Sequence, residues 1–198
     1  MNTKIKDFLI IILVLVGAVA ILLVSISRAT LEIMVKNEIE DKLRTEEVII
    51  DDKVIYKLPQ SWVLPDNKSY IFKEARNWLW QKFSFGEENK IQIALILADK
   101  KIAESIALVK KEKYDLALKT CMKAVEKLEY ADKLIEKMEN NNVVRAQKSK
   151  QVEKTMEAYT KIIEEMGKND KIDEQKYFLL LQSINEFKEK QTQKKEAE

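Results

Sequence analysis

The feature that most constrains this chain is an uncharged apolar stretch near its start, from Phe8 to Ile26. At 1.5 Å per residue in a helix, the run from Phe8 to Val24 spans roughly 26 Å, close to the ~30 Å hydrocarbon core of a bilayer. Its Leu, Ile, Val and Phe residues each favour insertion by about 0.3 to 0.6 kcal/mol near a helix centre. The sequence therefore predicts a transmembrane helix, acting as a signal anchor, over residues 8–27. Its representative positions are Phe8, Leu9, Leu13, Leu15, Gly17, Leu22 and Ile26.

The charges on either side of this stretch predict its orientation. Lys4 and Lys6 precede it, and Asp7 is the one acidic residue beside them, whereas the basic residues that follow the stretch are interleaved with glutamates. Short segments rich in Lys and Arg stay on the cytoplasmic side of a membrane. We therefore expect a single-pass protein with residues 1–7 in the cytoplasm and the carboxyl-terminal domain outside the cell membrane.

Two other interpretations of the stretch stay open. Ser25 and Ser27 are small residues before Arg28, as in a secretory signal that is cleaved there. The apolar region of such signals is typically only ~7 to 15 residues long, which favours an anchor instead. A buried core helix fits less well, because the stretch has no polar face.

Composition limits what the rest of the chain can be. The chain has 35 Lys and Arg against 33 Asp and Glu, a net charge of +2, which disfavours nucleic acid as a partner. Cys121 is the only cysteine, so no intrachain disulfide can form and the domain must rely on apolar packing. With three Gly and two Pro, the chain favours long helices with short links.

The pattern of apolar residues predicts an all-α domain, an antiparallel bundle of about four helices over residues 58–187. Residues 28–57 are expected to form a stalk or extended connector, with a hairpin-like segment around Asp51 and Asp52. Pro59 and Pro65 then impose an extended strap, because proline disfavours helix at the residue before it. Asp66 or Ser69 is expected to cap the helix that follows. Its apolar positions are Tyr70, Ile71, Ala75, Trp78, Leu79 and Phe83.

The later helices follow the same periodicity. The apolar stripe of one helix ends by Lys111, and that of the next helix begins at Tyr114. The short link Glu112-Lys113 between them predicts an antiparallel helix hairpin within residues 58–139. Two additional helices are expected over 143–187, separated near Gly167. The tail over 188–198 has no apolar residue except Ala197, which predicts disorder.

Three tryptophans allow more than one interpretation. Trp62, Trp78 and Trp80 lie around the start of the domain, where they could stack on a ligand or form an interfacial belt. Aromatic residues around a helix start more often close a small core, and we favour that interpretation.

The residue types argue against catalysis and metal binding. The chain contains no His, which removes the commonest general base and any Ser-His or Cys-His nucleophile pair. Cys121 lies on an apolar stripe, where a thiol behaves as a small hydrophobic group. The pairs Asp51-Asp52, Glu87-Glu88 and Glu164-Glu165 are adjacent in sequence and share no helix face. We therefore predict no catalytic residue, cofactor or metal ligand, although carboxylates from different segments could still form a hard-cation site.

One sequence pattern resembles a known family. It consists of Tyr56, Leu58-Pro59, Leu64-Pro65-Asp66, Tyr70 and Lys73, followed by an Ala-rich amphipathic hairpin. This pattern resembles a family of bacterial domains of unknown function, number 5667, over about residues 58–135. The resemblance implies an exported helical domain of the bacterial envelope and supplies no activity.

Together these observations favour a non-enzymatic, membrane-anchored helical module with a protein-interaction or structural role. The partner is expected to be another protein or a second copy of the chain. The predicted interaction surface is the last helix, with the stalk around residues 31–43 as an alternative. An envelope ligand-binding or sensor domain with a tryptophan-lined pocket is the second hypothesis, and an enzyme is the third. The surface on the last helix comprises Tyr177, Leu181, Ile184 and Phe187.

Overall fold

From residue 45 onward, the residues that the structure describes form a β-hairpin followed by five helices. A computed structural model describes residues 12–15, 17–18, 21, 45–50, 53–61, 63–138 and 141–197. The mostly helical fold is confirmed. The elements are β1 (Thr45–Ile50), β2 (Lys53–Pro59), α1 (Tyr70–Phe83), α2 (Glu87–Lys110), α3 (Tyr114–Glu136), α4 (Asn142–Gly167) and α5 (Glu174–Ala197).

The predicted membrane span falls largely outside the described residues. Leu13, Leu15 and Gly17 are helical and exposed, while Phe8, Leu9, Leu22 and Ile26 lie outside the described residues. Among the residues that the structure describes, no helix is both long enough and apolar enough to cross a bilayer.

The two strands confirm the hairpin-like segment expected around residues 51 and 52, and they correct the all-α fold class locally. β1 and β2 pair in antiparallel fashion from Thr45 opposite Pro59 to Ile50 opposite Lys53, with an irregularity between Val48 and Ile49. Both strands are rich in Val and Ile, which fit a pleated surface better than a helix. Leu58 of β2 is buried, so the hairpin is attached to the helical body through its second strand.

The core lies between α2 and α3, with α4 and α5 packed across them. The apolar stripes predicted for these helices are largely buried, and small residues along α3 allow close approach of its neighbours. Representative core side chains are Ile91, Leu95, Ile102, Leu108, Cys121, Leu128, Ile135, Tyr159, Ile163 and Ile184.

A Schellman motif links α2 to α3. The Lys113 amide donates to the Leu108 carbonyl, and the Glu112 amide donates to the Val109 carbonyl, both at 2.9 Å. Glu112 has φ 56°, in the left-handed region that glycine usually occupies at this position. The predicted hairpin and its short link are thus confirmed, with a non-glycine residue at the turn.

The disordered tail predicted over 188–198 is wrong for the residues described. α5 continues to Ala197, and Lys194 forms ion pairs with Asp132 and Glu136 of α3, each at 2.5 Å. Glu, Lys and Gln are good helix formers, so a segment without apolar residues can extend a helix that is already nucleated and packed.

Glu112 provides a test of this turn. Left-handed geometry costs a residue with a Cβ atom roughly 1–2 kcal/mol, and part of this is offset by the greater unfolded-state freedom of glycine. We expect Glu112→Gly to raise the free energy of unfolding by about 1 kcal/mol in chemical denaturation of the full chain. Glu112→Ala removes the same carboxylate but keeps the strain, so equal stabilisation by both variants would contradict this account.

Candidate functional site: an inverted first helix

Helix α1 presents its apolar side to the outside of the protein. Five of its large apolar residues keep between 40% and 76% of their full exposure, whereas the one buried side chain of α1 is the amide of Asn77. A surface helix normally does the reverse and turns its apolar stripe to the core. We call this surface the outward α1 face; it comprises Ile71, Phe72, Ala75, Trp78, Leu79 and Phe83.

The outward α1 face is continuous along the helix. Its members recur three, four and seven residues apart, the spacing that aligns side chains on one side of a helix. Three of the side chains are aromatic, and an aromatic side chain carries 150–250 Å² of surface, so the exposed apolar area is on the order of 500 Å². Patches of this size on a protein surface usually mark a binding site.

The opposite side of α1 is held to α2 by buried charges. Lys73 Nζ lies 2.5 Å from Oε1 of Glu104, a residue of α2 with no exposed surface. The same ammonium donates to Ser61 Oγ at 2.6 Å and to the Val63 carbonyl at 2.9 Å. Lys73 therefore joins the strap, α1 and α2 at one point.

A second lysine completes this network from α2. Lys101 Nζ donates to Glu74 Oε1 at 2.7 Å and to the hydroxyl of Tyr70, and it lies 3.4 Å from Glu104 Oε2. Tyr70 in turn donates to Glu104 Oε2 at 2.6 Å. Two ammonium groups thus face two carboxylates, the balance that buried charges require to offset desolvation.

The surroundings fix the protonation of this network. Burial, together with the hydrogen bond to Glu104 and the charge of that carboxylate, raises the pKa of Tyr70 well above its ordinary value, so its phenol stays a donor. Partial burial acts to raise the pKa of Glu74, but the hydrogen bond and charge of Lys101 outweigh it. The pKa of Glu74 therefore lies below its usual value.

A separate polar cluster attaches β2 to α2 and α4. Asp99 of α2 accepts from Tyr159 at 2.8 Å and from Tyr56 at 3.4 Å, and the Tyr56 hydroxyl lies 3.0 Å from Thr155 Oγ1. The two tyrosine rings meet edge to face, with centroids 6.2 Å apart. Burial, reinforced by the charge of Asp99, raises the pKa of both phenols, so they act as neutral donors.

The strap between β2 and α1 is fixed by one apolar and one charged residue. Leu64 is buried, and its carbonyl accepts from the Asn67 amide at 3.0 Å to form a turn. The Asp66 carboxylate lies 2.7 Å from Lys113 Nζ, and this hydrogen bond lowers the pKa of Asp66. Ser69, one of the two predicted caps, occupies the N-cap position of α1 but makes no side-chain hydrogen bond to the helix, and Asp66 pairs with Lys113 instead.

The predicted family pattern thus coincides with the attachment of α1 and β2. Tyr70 and Lys73 enter the charge network, Tyr56 enters the Asp99 cluster, and Leu58 and Leu64 are buried in the core. Pro59 ends β2, and Pro65 opens the turn of the strap.

Residues 62–157 match the model of a domain of unknown function, DUF5667. The resemblance predicted from the sequence pattern is confirmed. The match covers about half of the chain, from the strap into α4, and includes the outward α1 face and its charge network. Neither a comparison with curated proteins nor one with solved structures finds a match.

Sequence reasoning missed the partners of the DUF5667 pattern on α2. The sequence pattern does not single out Asp99, Lys101 or Glu104, yet Lys101 and Glu104 are buried. One signal was available: Lys101 and Glu104 are an oppositely charged pair three residues apart, beside the apolar stripe through Ile102. A buried Lys73 would also have required a carboxylate partner from another element.

The two tryptophans that the structure describes lie in different environments. Trp78 is 60% exposed, so core packing is the wrong interpretation for it. Trp80 is half-buried, with Arg76 4.6 Å and Lys100 5.5 Å from its ring centroid, in cation–π geometry. Trp62 lies outside the described residues.

The interaction surface predicted on α5 is largely occupied by the protein itself. Ile184 and Phe187 are buried, and Tyr177 and Leu181 are half-buried against the core. The apolar stripe of α5 packs on α3 and α4, so it is not available as predicted. The stalk alternative, residues 31–43, lies outside the described residues.

The residues considered above for catalysis or metal binding have structural roles where the structure describes them. Cys121 is buried in the core, and burial raises the pKa of its thiol to about 12, far from the thiolate form that reacts. Glu87 and Glu88 occupy the first turn of α2, where carboxylates favour the helix dipole. Within the described part of the chain, no group of three or more Cys, Asp or Glu residues is arranged to hold a metal ion.

The charge network predicts a large cost for removing its central carboxylate. Glu104→Ala leaves two buried ammonium groups without their shared partner, which we expect to lower the free energy of unfolding by roughly 3–5 kcal/mol. Glu157→Ala, at an exposed position of α4, should change it by less than ~0.5 kcal/mol. Chemical denaturation of the full chain in detergent measures both, and equal effects would show that the network does not hold α1.

The depressed pKa of Glu74 predicts a pH effect with a definite sign. A carboxyl whose folded pKa is lowered contributes stability that is present above its ordinary value, 4.5, and is lost as pH falls through the folded pKa. We therefore expect Glu74→Gln to flatten the fall in unfolding free energy below about pH 4.5. Glu157→Gln controls for the loss of one carboxylate, and an identical flattening there would contradict the assignment to Glu74.

Proposed function

We propose that this chain is a non-enzymatic, membrane-anchored helical module with an interaction or structural role in a bacterial cell envelope. In this proposal residues 8–27 span the cell membrane, residues 1–7 are cytoplasmic, and the body is extracytoplasmic. The outward α1 face replaces the predicted α5 surface as the site of binding to a partner or to a second copy. This exposed apolar surface, opposite a buried charge network, is the observation that carries the proposal.

The energetics of α1 support a binding role for this face. Turning the helix by half a turn would bury its apolar side, but it would separate Lys73 and Tyr70 from Glu104. Breaking a buried ion pair costs about 3–5 kcal/mol, so the charge network opposes that rotation. The apolar side is therefore held outward and available to bind.

The location rests on the chain's amino-terminal sequence. The uncharged stretch Phe8–Ile26 is long enough to span a bilayer, and Lys4 and Lys6 before it favour the cytoplasmic side. The match to DUF5667 is compatible with an exported domain. A non-enzymatic role is supported by the lack of His and by the mutual pairing of the buried charges.

The sensor hypothesis has less support than the interaction module. Trp78 lies on the exposed face and Trp80 lies between cations, so these two rings do not enclose a common pocket. An open groove of about 370 Å³ lies between α3 and α5, and one of about 470 Å³ lies between α3, α4 and α5; charged side chains dominate their walls. Ligand pockets are more often apolar and enclosed.

Intact mass combined with protease access tests the proposed location. We expect full-length chain expressed in a bacterium to sediment with membranes and to have the mass of a chain that still contains residues 1–27. Protease added to intact spheroplasts should digest the helical body while a cytoplasmic marker protein stays whole. A soluble product starting at Arg28 would support the secreted alternative. Full-length chain in the soluble cytosol would overturn the proposal.

A further inference from the structure

We infer that the outward α1 face lies in the headgroup region of an anionic lipid bilayer, with α1 parallel to the membrane plane. The inference deepens the proposed function and depends on it only for keeping α1 near a membrane. Helices that lie in the interface combine Trp, Phe and Leu on one side with basic residues around them. α1 has that composition, and its apolar side is exposed.

The charge around α1 favours an anionic surface. Lys68, Arg76 and Lys82 are exposed between residues 67 and 86, and Glu74, the single acid in this stretch, is paired with Lys101. The whole chain is close to neutral, whereas this stretch has four basic residues and one acidic residue. Basic residues near a membrane surface are attracted by anionic lipids within a Debye length.

The position of Lys82 distinguishes lipid from a second copy. On a helical wheel Lys82 falls within the apolar stripe, between Ile71 and Ala75. In a two-fold dimer through this face, the Lys82 residues of both copies would be brought into the same apolar interface, and like charges there disfavour association. At a bilayer surface, the aliphatic stem of lysine can lie along the acyl region while its ammonium reaches the phosphates.

The length of chain before the body permits this placement. The chain between Ile26 and Thr45 can reach up to roughly 60 Å if extended, at 3.3–3.6 Å per residue. A domain anchored by residues 8–27 can therefore bring α1 back to the membrane surface. Anchoring also raises the effective concentration of that surface, so a weakly binding face is sufficient.

A fluorescent probe at single positions tests the inference in the full chain. Phe72→Cys and Leu79→Cys place a thiol on the outward α1 face, and Lys161→Cys places one at an exposed position of α4 as the matched control. Each variant carries Cys121→Ala, is labelled with an environment-sensitive dye, and is inserted into vesicles of phosphatidylcholine with or without phosphatidylglycerol. A quencher attached to lipid then reports contact with the bilayer.

We expect the probes at 72 and 79 to shift to the blue and to lose most of their fluorescence to the quencher, most strongly with phosphatidylglycerol. The probe at 161 should remain in water. Replacing Arg76 and Lys82 by Gln should remove the dependence on phosphatidylglycerol, whereas replacing the exposed Lys119 and Lys161 should not. Equal quenching at 72, 79 and 161, or none at 72 and 79, would overturn the inference.

Two readouts separate this inference from the proposed function. Resistance of the chain to alkaline extraction reports the anchor, and quenching at 72 and 79 reports α1. A chain that resists extraction without quenching overturns the inference alone, whereas one that is extracted but quenched overturns the anchor alone. Shielding of the probe that grows with protein concentration, without lipid quenching, would identify a second copy as the occupant and overturn the lipid assignment.

Discussion

The rest of the structure depends on the hydrogen bonds and ion pairs that the buried carboxylate of Glu104 makes. One oxygen accepts from Lys73, and the other accepts from Tyr70 and lies near Lys101. A charge removed from water must find such partners, so this carboxylate determines which side of α1 faces α2. The exposed apolar face is the direct consequence, because the two sides of α1 have opposite character.

Helix α2 contacts α1, α3, α4 and β2. Its apolar stripe packs against α3, Glu104 and Lys101 attach α1, and Asp99 attaches β2 and α4 through two tyrosines. Polar attachment is directional, whereas apolar packing tolerates rotation. The peripheral elements are therefore held in defined orientations on an apolar core.

Much of the fold could be predicted from local patterns. The stripes of α2 and α3, the short link at Glu112, and the pattern from Tyr56 to Lys73 each depend on residues close in sequence. The wrong predictions concern residues whose environment depends on contacts with residues that are distant in the chain. Ile184 and Phe187 were expected on a surface but pack on α3 and α4, and the segment after residue 187 was expected to be disordered but continues α5. The outward α1 face was missed because its amphipathic pattern says nothing about which side the body will cover.

The sequence by itself determined the helical character of the domain, the hairpin of α2 and α3, and the resemblance to DUF5667. These properties follow from periodicity, turn chemistry and short motifs, which act over a few residues. Only the tertiary structure decided that α1 turns its apolar side outward. Lys73 and Glu104 are 31 residues apart in the chain, and their pairing exists only when α1 and α2 are packed together. The physical reason is the cost of burying a charge alone, which outweighs the tendency of an apolar stripe to face the core.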